Sequence, residues 1–294
     1  MLLLLLAKPA VARATDLVPA PTSSPAPGIS LAIAPAASDL TLDDGRVLSV
    51  ALRVPAGARG PLPVLMVCGG LRRGTRVMDL IRPDRPMILA SFDYPYLPPR
   101  KFRFPGSLTH APKLRRAIHG SVESVEKLYA TLRQRPDVDP ARITVMGAGD
   151  GAPFALVGAA RAGIPGVVLV HGFADVSAVV QNLFDRRPRS RLGNWMTLPA
   201  RWLARRVIQY CEVPDRGAQA RALSGAQKVL LLTAHDDEFI PRSASDAVWK
   251  SLQDSPAHSE RLLQPGAHFQ PTNAGDLDKV MKPAFEWMER QGLV

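Results

Sequence analysis

Two cysteines in 294 residues rule out a disulfide-built architecture. Cys68 and Cys211 are far apart in sequence, and two distant thiols make neither a disulfide framework nor a zinc site. Cys68 ends an apolar run and reads as a small buried residue. Histidine clusters are missing too. The six histidines are scattered, with no H-x-x-x-H spacing, so neither a metal nor another cofactor is expected. Long apolar runs are absent: Met1 with the five leucines after it is too short to span a bilayer, and no other stretch is long enough. Acidic residues are outnumbered, 26 against 37 basic, for a formal net charge of +11. Such a balance admits nucleic acid, anionic membranes or acidic substrates as partners. Aromatics are only 6% of the chain and no basic stripe interleaves with them, which argues against nucleic acid. The excess is arginine-rich and spread out, as in compositional bias. Its densest run is Arg186, Arg187, Arg189, Arg191, Arg201, Arg205 and Arg206, with Trp195 and Trp202 between them. An anionic membrane surface is the one charge-driven partner this run leaves open.

What is present suits one sizeable core: 46% of residues are hydrophobic. The leucine run followed by Ala12-Arg13-Ala14 reads as an export signal over residues 1–14, placing the protein in a periplasm or outside the cell. Residues 15–38 are rich in Pro, Ala and Ser and read as a linker. The folded domain is expected over 39–294. Asp44-Gly45 between two strand patterns marks a hairpin. Continuous apolar runs at 61–67, 87–92, 143–146, 167–170 and 229–233, with a short strand at 261–263, suit buried parallel strands. Helices are expected over 114–135, where Val122, Val125, Leu128, Tyr129 and Leu132 recur at helical spacing, and over 151–162, 243–252 and 277–290. Strands alternating with helices predict an α/β fold, a mostly parallel sheet covered on both faces. Residues 174–224 differ in character and read as a small helical lid inserted into it.

In open α/β sheets, ligands bind beyond the carboxyl ends of the strands. Four loops fall there. One is Cys68-Gly69-Gly70-Leu71. The second, after the strand Arg142-Ile143-Thr144-Val145-Met146, is Gly147-Ala148-Gly149-Asp150-Gly151. It has the glycines of a nucleophile elbow, G-x-S-x-G, but no serine between them. The third is Ala234-His235-Asp236-Asp237-Glu238-Phe239-Ile240-Pro241, and the fourth Pro265-Gly266-Ala267-His268-Phe269. In this order the loops resemble those of the α/β-hydrolase superfamily, among its serine esterases, peptidases and dienelactone-hydrolase-like members, over residues 39–294. The resemblance implies Asp237 as the triad acid and His268 as the base. It makes Gly149 the nucleophile position and draws oxyanion donors from Gly70 or Leu71 and from Asp150. Asp236 competes with Asp237, but spacing to Ile240-Pro241 favours the latter. His235 reads as a surface loop residue.

Three functions follow as alternatives. The chain is a degenerate hydrolase binding a small apolar or ester-like ligand. Or it is an active hydrolase of esters, amides or lactones, using Asp150 as a substitute nucleophile or Cys68, or carrying glycine where a serine belongs. Or it is an exported interaction protein with a basic lid. An Asp150 carboxylate beside an oxyanion site argues against ordinary acyl transfer.

Overall fold

The computed structural model describes residues 38–57, 60–70, 73–97, 109–173, 178–179, 182, 202–203, 206–207, 209–211, 215–269 and 274–294. The expected signal segment lies outside the described residues. So do the linker up to residue 37, Leu71, and most of the expected lid, including Trp195 and every arginine of its run except Arg206.

The strands are β1 (Ser38–Thr41), β2 (Val47–Arg53), β3 (Leu62–Cys68), β4 (Ile88–Phe92), β5 (Val138–Ala148), β6 (Gly166–Val170), β7 (Lys228–Ala234) and β8 (His258–Gln264). They form one sheet in the order β1-β2-β4-β3-β5-β6-β7-β8. The β1–β2 and β2–β4 pairs are antiparallel; every pairing from β4 across to β8 is parallel. The mostly parallel sheet read from sequence is therefore present, with an antiparallel hairpin on one edge. Gly45 takes the left-handed turn of that hairpin at φ 80°.

The helices are α1 (Ala111–Arg133), α2 (Ala152–Ala162), α3 (Arg216–Arg221), α4 (Arg242–Gln253) and α5 (Ala274–Arg290). A 3-10 turn spans Gly74–Leu80. Pro112 in the first turn of α1 and Pro153 in that of α2 sit where a missing N–H costs nothing. α2 stops at Gly163, in the left-handed conformation at φ 70°.

Successive side chains of the central strands alternate between two cores, as the two-residue strand period requires. Val64, Met66, Ile143, Val145, Val167, Leu169, Val229 and Leu231 face the layer of α1, α2 and α4. Leu65, Val67, Met146, Val168, Val170, Leu230 and Leu232 face α5, whose Trp287 is fully buried. Strands apolar on both faces are what sequence reads most readily.

One element escaped the sequence reading: the 3-10 turn has no periodicity. The six-residue α3 falls within the segment read as a helical insertion. The last strand is also longer than expected, because Ser259, Glu260 and Arg261 are polar. They pair with Val229, Leu230 and Leu231 along an edge strand, where one side of the ladder is open and side chains need not be apolar.

Candidate active site

The elbow follows β5. Ala148 is extended at φ −119°, Gly149 turns left-handed at φ 54°, and Gly149–Gly151 form one 3-10 turn leading into α2. The three glycines have different reasons. A Cβ on Gly151 would stand 2.0 Å from the carbonyl oxygen of Cys68, and one on Gly147 would stand 2.6 Å from Ala152 Cα and Ala155 Cβ. Both are places of close backbone approach. A Cβ on Gly149 meets nothing within 4 Å. Gly149 therefore has room for a side chain, at the strained backbone angle that an elbow gives its nucleophile. The tip is at Gly149, not Asp150, which lies half-buried within the turn. Replacing Gly151 with alanine is expected to lower stability by about 1–3 kcal/mol by overpacking against β3, measured by denaturant unfolding. A loss no larger than that of a surface substitution would contradict this account of the elbow.

The loop after β3 is pinned by Tyr94, whose hydroxyl donates to the Gly69 carbonyl at 2.6 Å. Arg73 N–H donates to the Gly70 carbonyl at 2.9 Å. Cys68 is buried, and burial pushes its thiol up to about 12. A thiol so raised is not a thiolate near neutrality, so Cys68 is an inert core residue.

The acid loop follows β7. Asp237 Oδ1 accepts from the N–H groups of Phe239 and Ile240, both at 2.9 Å. His268, from the loop after β8, brings Nδ1 to 3.0 Å and 2.9 Å from the two Asp237 oxygens. Its backbone N–H donates to Glu238 Oε2 at 3.1 Å. Burial works to raise the Asp237 carboxyl, but the contacts from His171 and His268 outweigh it and hold the group well below the usual carboxylate range. This is the arrangement by which a carboxylate orients an imidazole and fixes its tautomer. His235 and Asp236 are exposed and pair with each other at 2.6 Å, apart from the Asp237–His268 contact.

A residue that the sequence did not single out joins them. His171, directly after β6, is 3% exposed and stacks on His268 with ring centroids 3.9 Å apart. Its Nδ1 lies 2.7 Å from Asp237 Oδ2, though without the alignment of a hydrogen bond. The available signal was position: the segment ending at His171-Gly172 lies at the same strand ends as the other loops. His171, Asp237 and His268 bring three metal-capable atoms within 4.8 Å of one another, which the scattered histidines gave no reason to expect. The donor chemistry does not suit a cation. His171 Nε2 accepts the Phe269 N–H at 3.2 Å, leaving its proton on Nδ1, and His268 Nδ1 is directed at the carboxylate.

Neighbouring strands set the order along this edge. Ala148 of β5 pairs with Val170 of β6, and Val170 pairs with Leu232 of β7. Gly149 and His171 therefore leave the sheet side by side, and the acid and base loops leave from the next two strands. With elbow, acid and histidine in chain order at the carboxyl edge of this sheet, the architecture is decided. This is the α/β-hydrolase fold.

Solved structures of that fold are similar to most of the chain. A 2,6-dihydroxy-pseudo-oxynicotine hydrolase superposes with a TM-score of 0.58 at 20% identity over 86% of this chain. The match covers 65% of that hydrolase, so this chain spans about two thirds of its length. An acetyl xylan esterase from Paenibacillus sp. R4 gives 0.60 at 16% identity, over 87% of this chain and 81% of the esterase. A dienelactone hydrolase from Anabaena variabilis gives 0.53 at 14%, over 86% and 96%. No family model and no curated protein matches the sequence.

Two further features frame the Asp237–His268 pair. Asn182, at the root of the expected lid, donates from Nδ2 to the carbonyls of Glu238 and Phe239, both at 3.0 Å. A cavity of about 30 Å³ lies against Asp237, lined by His171, Thr233, Arg242, Ser245 and Arg261 among others. That is room for one or two waters, far below the several hundred Å³ of a substrate pocket. No helix among the described residues is long and apolar enough to cross a membrane.

Proposed function

We propose that the chain is a degenerate hydrolase: an α/β-hydrolase fold that keeps the acid–base half of a triad, lacks its nucleophile, and binds a small ester-like or apolar ligand. The observation that carries this reading is Gly149, left-handed at φ 54° with open space where a side chain would start, on the same sheet edge as a bonded Asp237–His268 pair. An acyl transfer needs a nucleophile, a base and an orienting carboxylate; here the last two are in place. Hydrolysis through a substitute has weak support. Cys68 is an inert thiol, and Asp150 lies off the elbow tip.

The test is hydrolysis of p-nitrophenyl acetate and butyrate by the native chain beside Gly149→Ser and His268→Ala. The native chain is expected to be silent. Native turnover that His268→Ala abolishes would instead establish a working site with another nucleophile, and Asp150→Asn would then identify it.

A second reading, contact with an anionic membrane surface, rests on one feature. Trp202 is 59% exposed with the Arg206 guanidinium 5.3 Å from its ring centroid, and Tyr210 is 47% exposed with Arg115 at 5.8 Å. Arginine beside exposed aromatics suits a lipid headgroup layer. Binding to phosphatidylserine vesicles that weakens with salt supports it; no binding at low ionic strength refutes it. In either reading residues 1–14 are removed on export to a periplasm or beyond, which N-terminal sequencing of the mature protein checks.

A further inference from the structure

We propose that His171 is the third member of the Asp237–His268 pair, a neutral positioning residue that stands against the second side of the carboxylate and gives His268 a face to stack on. This deepens the reading of Asp237 and His268 as an acid–base pair and rests on it.

Four observations converge. His171 is 3% exposed, and burial pushes it down toward its neutral form against the pull of Asp237. Its tautomer is fixed from outside the pair: Nε2 accepts the Phe269 N–H at 3.2 Å, so the proton of the neutral ring is on Nδ1, 2.7 Å from Asp237 Oδ2. Its ring lies 3.9 Å from that of His268 and within 25° of parallel. Its backbone is left-handed at φ 55°, alone among the described non-glycine residues. Such strain persists only where the surroundings over-determine it and collects at functional sites.

The parts act together. Phe239 and Ile240 hold Asp237 Oδ1 by their amides, and His171 Nδ1 stands 2.7 Å from Oδ2. Phe239 stands edge-on to the His268 ring at 5.1 Å, roughly at right angles to it, while His171 stacks on it. Phe269, which orients His171, directly follows His268 in the chain. The base loop thus sets the tautomer of the residue that supports its own base. A protonated imidazole here would compete with His268 for the carboxylate; a neutral one steadies it.

The test reads His268 in the native chain by proton NMR, so it does not depend on whether any variant hydrolyses esters. An imidazole Nδ1–H held by a buried carboxylate gives a far-downfield resonance, assigned by its loss in His268→Ala. Two substitutions at position 171 suit the left-handed backbone, Gly and Asn. His171→Gly removes the ring without backbone strain, and the resonance is expected to disappear into exchange with water and to return when free imidazole is added. His171→Asn keeps a donor near Oδ2 and is expected to retain it. A resonance unchanged in folded His171→Gly would overturn the proposal. So would its loss in folded His171→Asn. Failure of Gly149→Ser to hydrolyse esters with the resonance behaving as expected would strike the degenerate-hydrolase reading and leave this one standing.

Discussion

Gly149→Ser is expected to turn the protein into an esterase, raising the rate of p-nitrophenyl butyrate hydrolysis at least about 100-fold over the native chain. Removing a catalytic serine from a complete site costs several orders of magnitude in kcat, so restoring it where base and acid already stand should recover a sizeable part. The backbone permits it: the position is already left-handed, and a Cβ meets nothing within 4 Å. A serine there has a cost. A non-glycine residue in this conformation loses about 1–2 kcal/mol, so the variant should be less stable while more active. The gain should vanish in Gly149→Ser/His268→Ala. The Asp150 carboxylate next to the elbow is expected to limit the gain, because it adds negative charge where an oxyanion must form. Gly149→Ser/Asp150→Asn should therefore be faster than Gly149→Ser alone. Stopped assays on the four proteins at one pH check all of this.

Asp237→Ala is expected to lower folding stability by about 3 kcal/mol, because each part-buried donor left without an acceptor costs about 1–3 kcal/mol. The carboxylate is 8% exposed, satisfies the amides of Phe239 and Ile240 and the His268 imidazole, and lies 2.7 Å from His171 Nδ1. Removing it leaves part-buried donors without their acceptor. The pH dependence has a definite sign. The folded carboxyl is held below its unfolded value, about 3.9 for a free aspartate. Its contribution is therefore complete above that pH and is lost as the pH falls through the lower folded value. The stability difference between native and Asp237→Ala proteins should be constant from neutrality to about pH 5 and narrow in stronger acid. Denaturant unfolding across an acid series measures it. A difference that grows on acidification would mean that Asp237 is not held as a charged acceptor.

The reach of the sequence can be judged residue by residue. Val64 to Val67 and Val229 to Leu232 are buried on both faces, and their unbroken apolarity revealed the parallel strands at once. Gly147 and Gly151 were legible because close backbone approach leaves glycine little alternative. Asp237 was separable from Asp236 because the turn to Ile240-Pro241 fixes which carboxylate meets the two amides. The edge strand β8 was seen too short, since an exposed edge relaxes the apolar requirement that makes strands visible. His171 was missed for a different reason. It lies 66 and 97 positions from its two partners, so only strand order brings the three together. A lone histidine at a strand end has no local pattern to announce it.

The vacancy at the elbow is tested most directly by covalent labelling. Native protein, Gly149→Ser and Gly149→Ser/His268→Ala would each be treated with a fluorophosphonate ester, and the adduct read by intact mass and peptide mapping. The expected result is no adduct on the native chain, a single adduct on residue 149 of Gly149→Ser, and none on the double variant. An adduct on the native protein, at Asp150 or elsewhere at the site, would contradict the claim that this fold has lost its nucleophile. An unreactive Gly149→Ser would contradict the claim that the rest of the machinery remains.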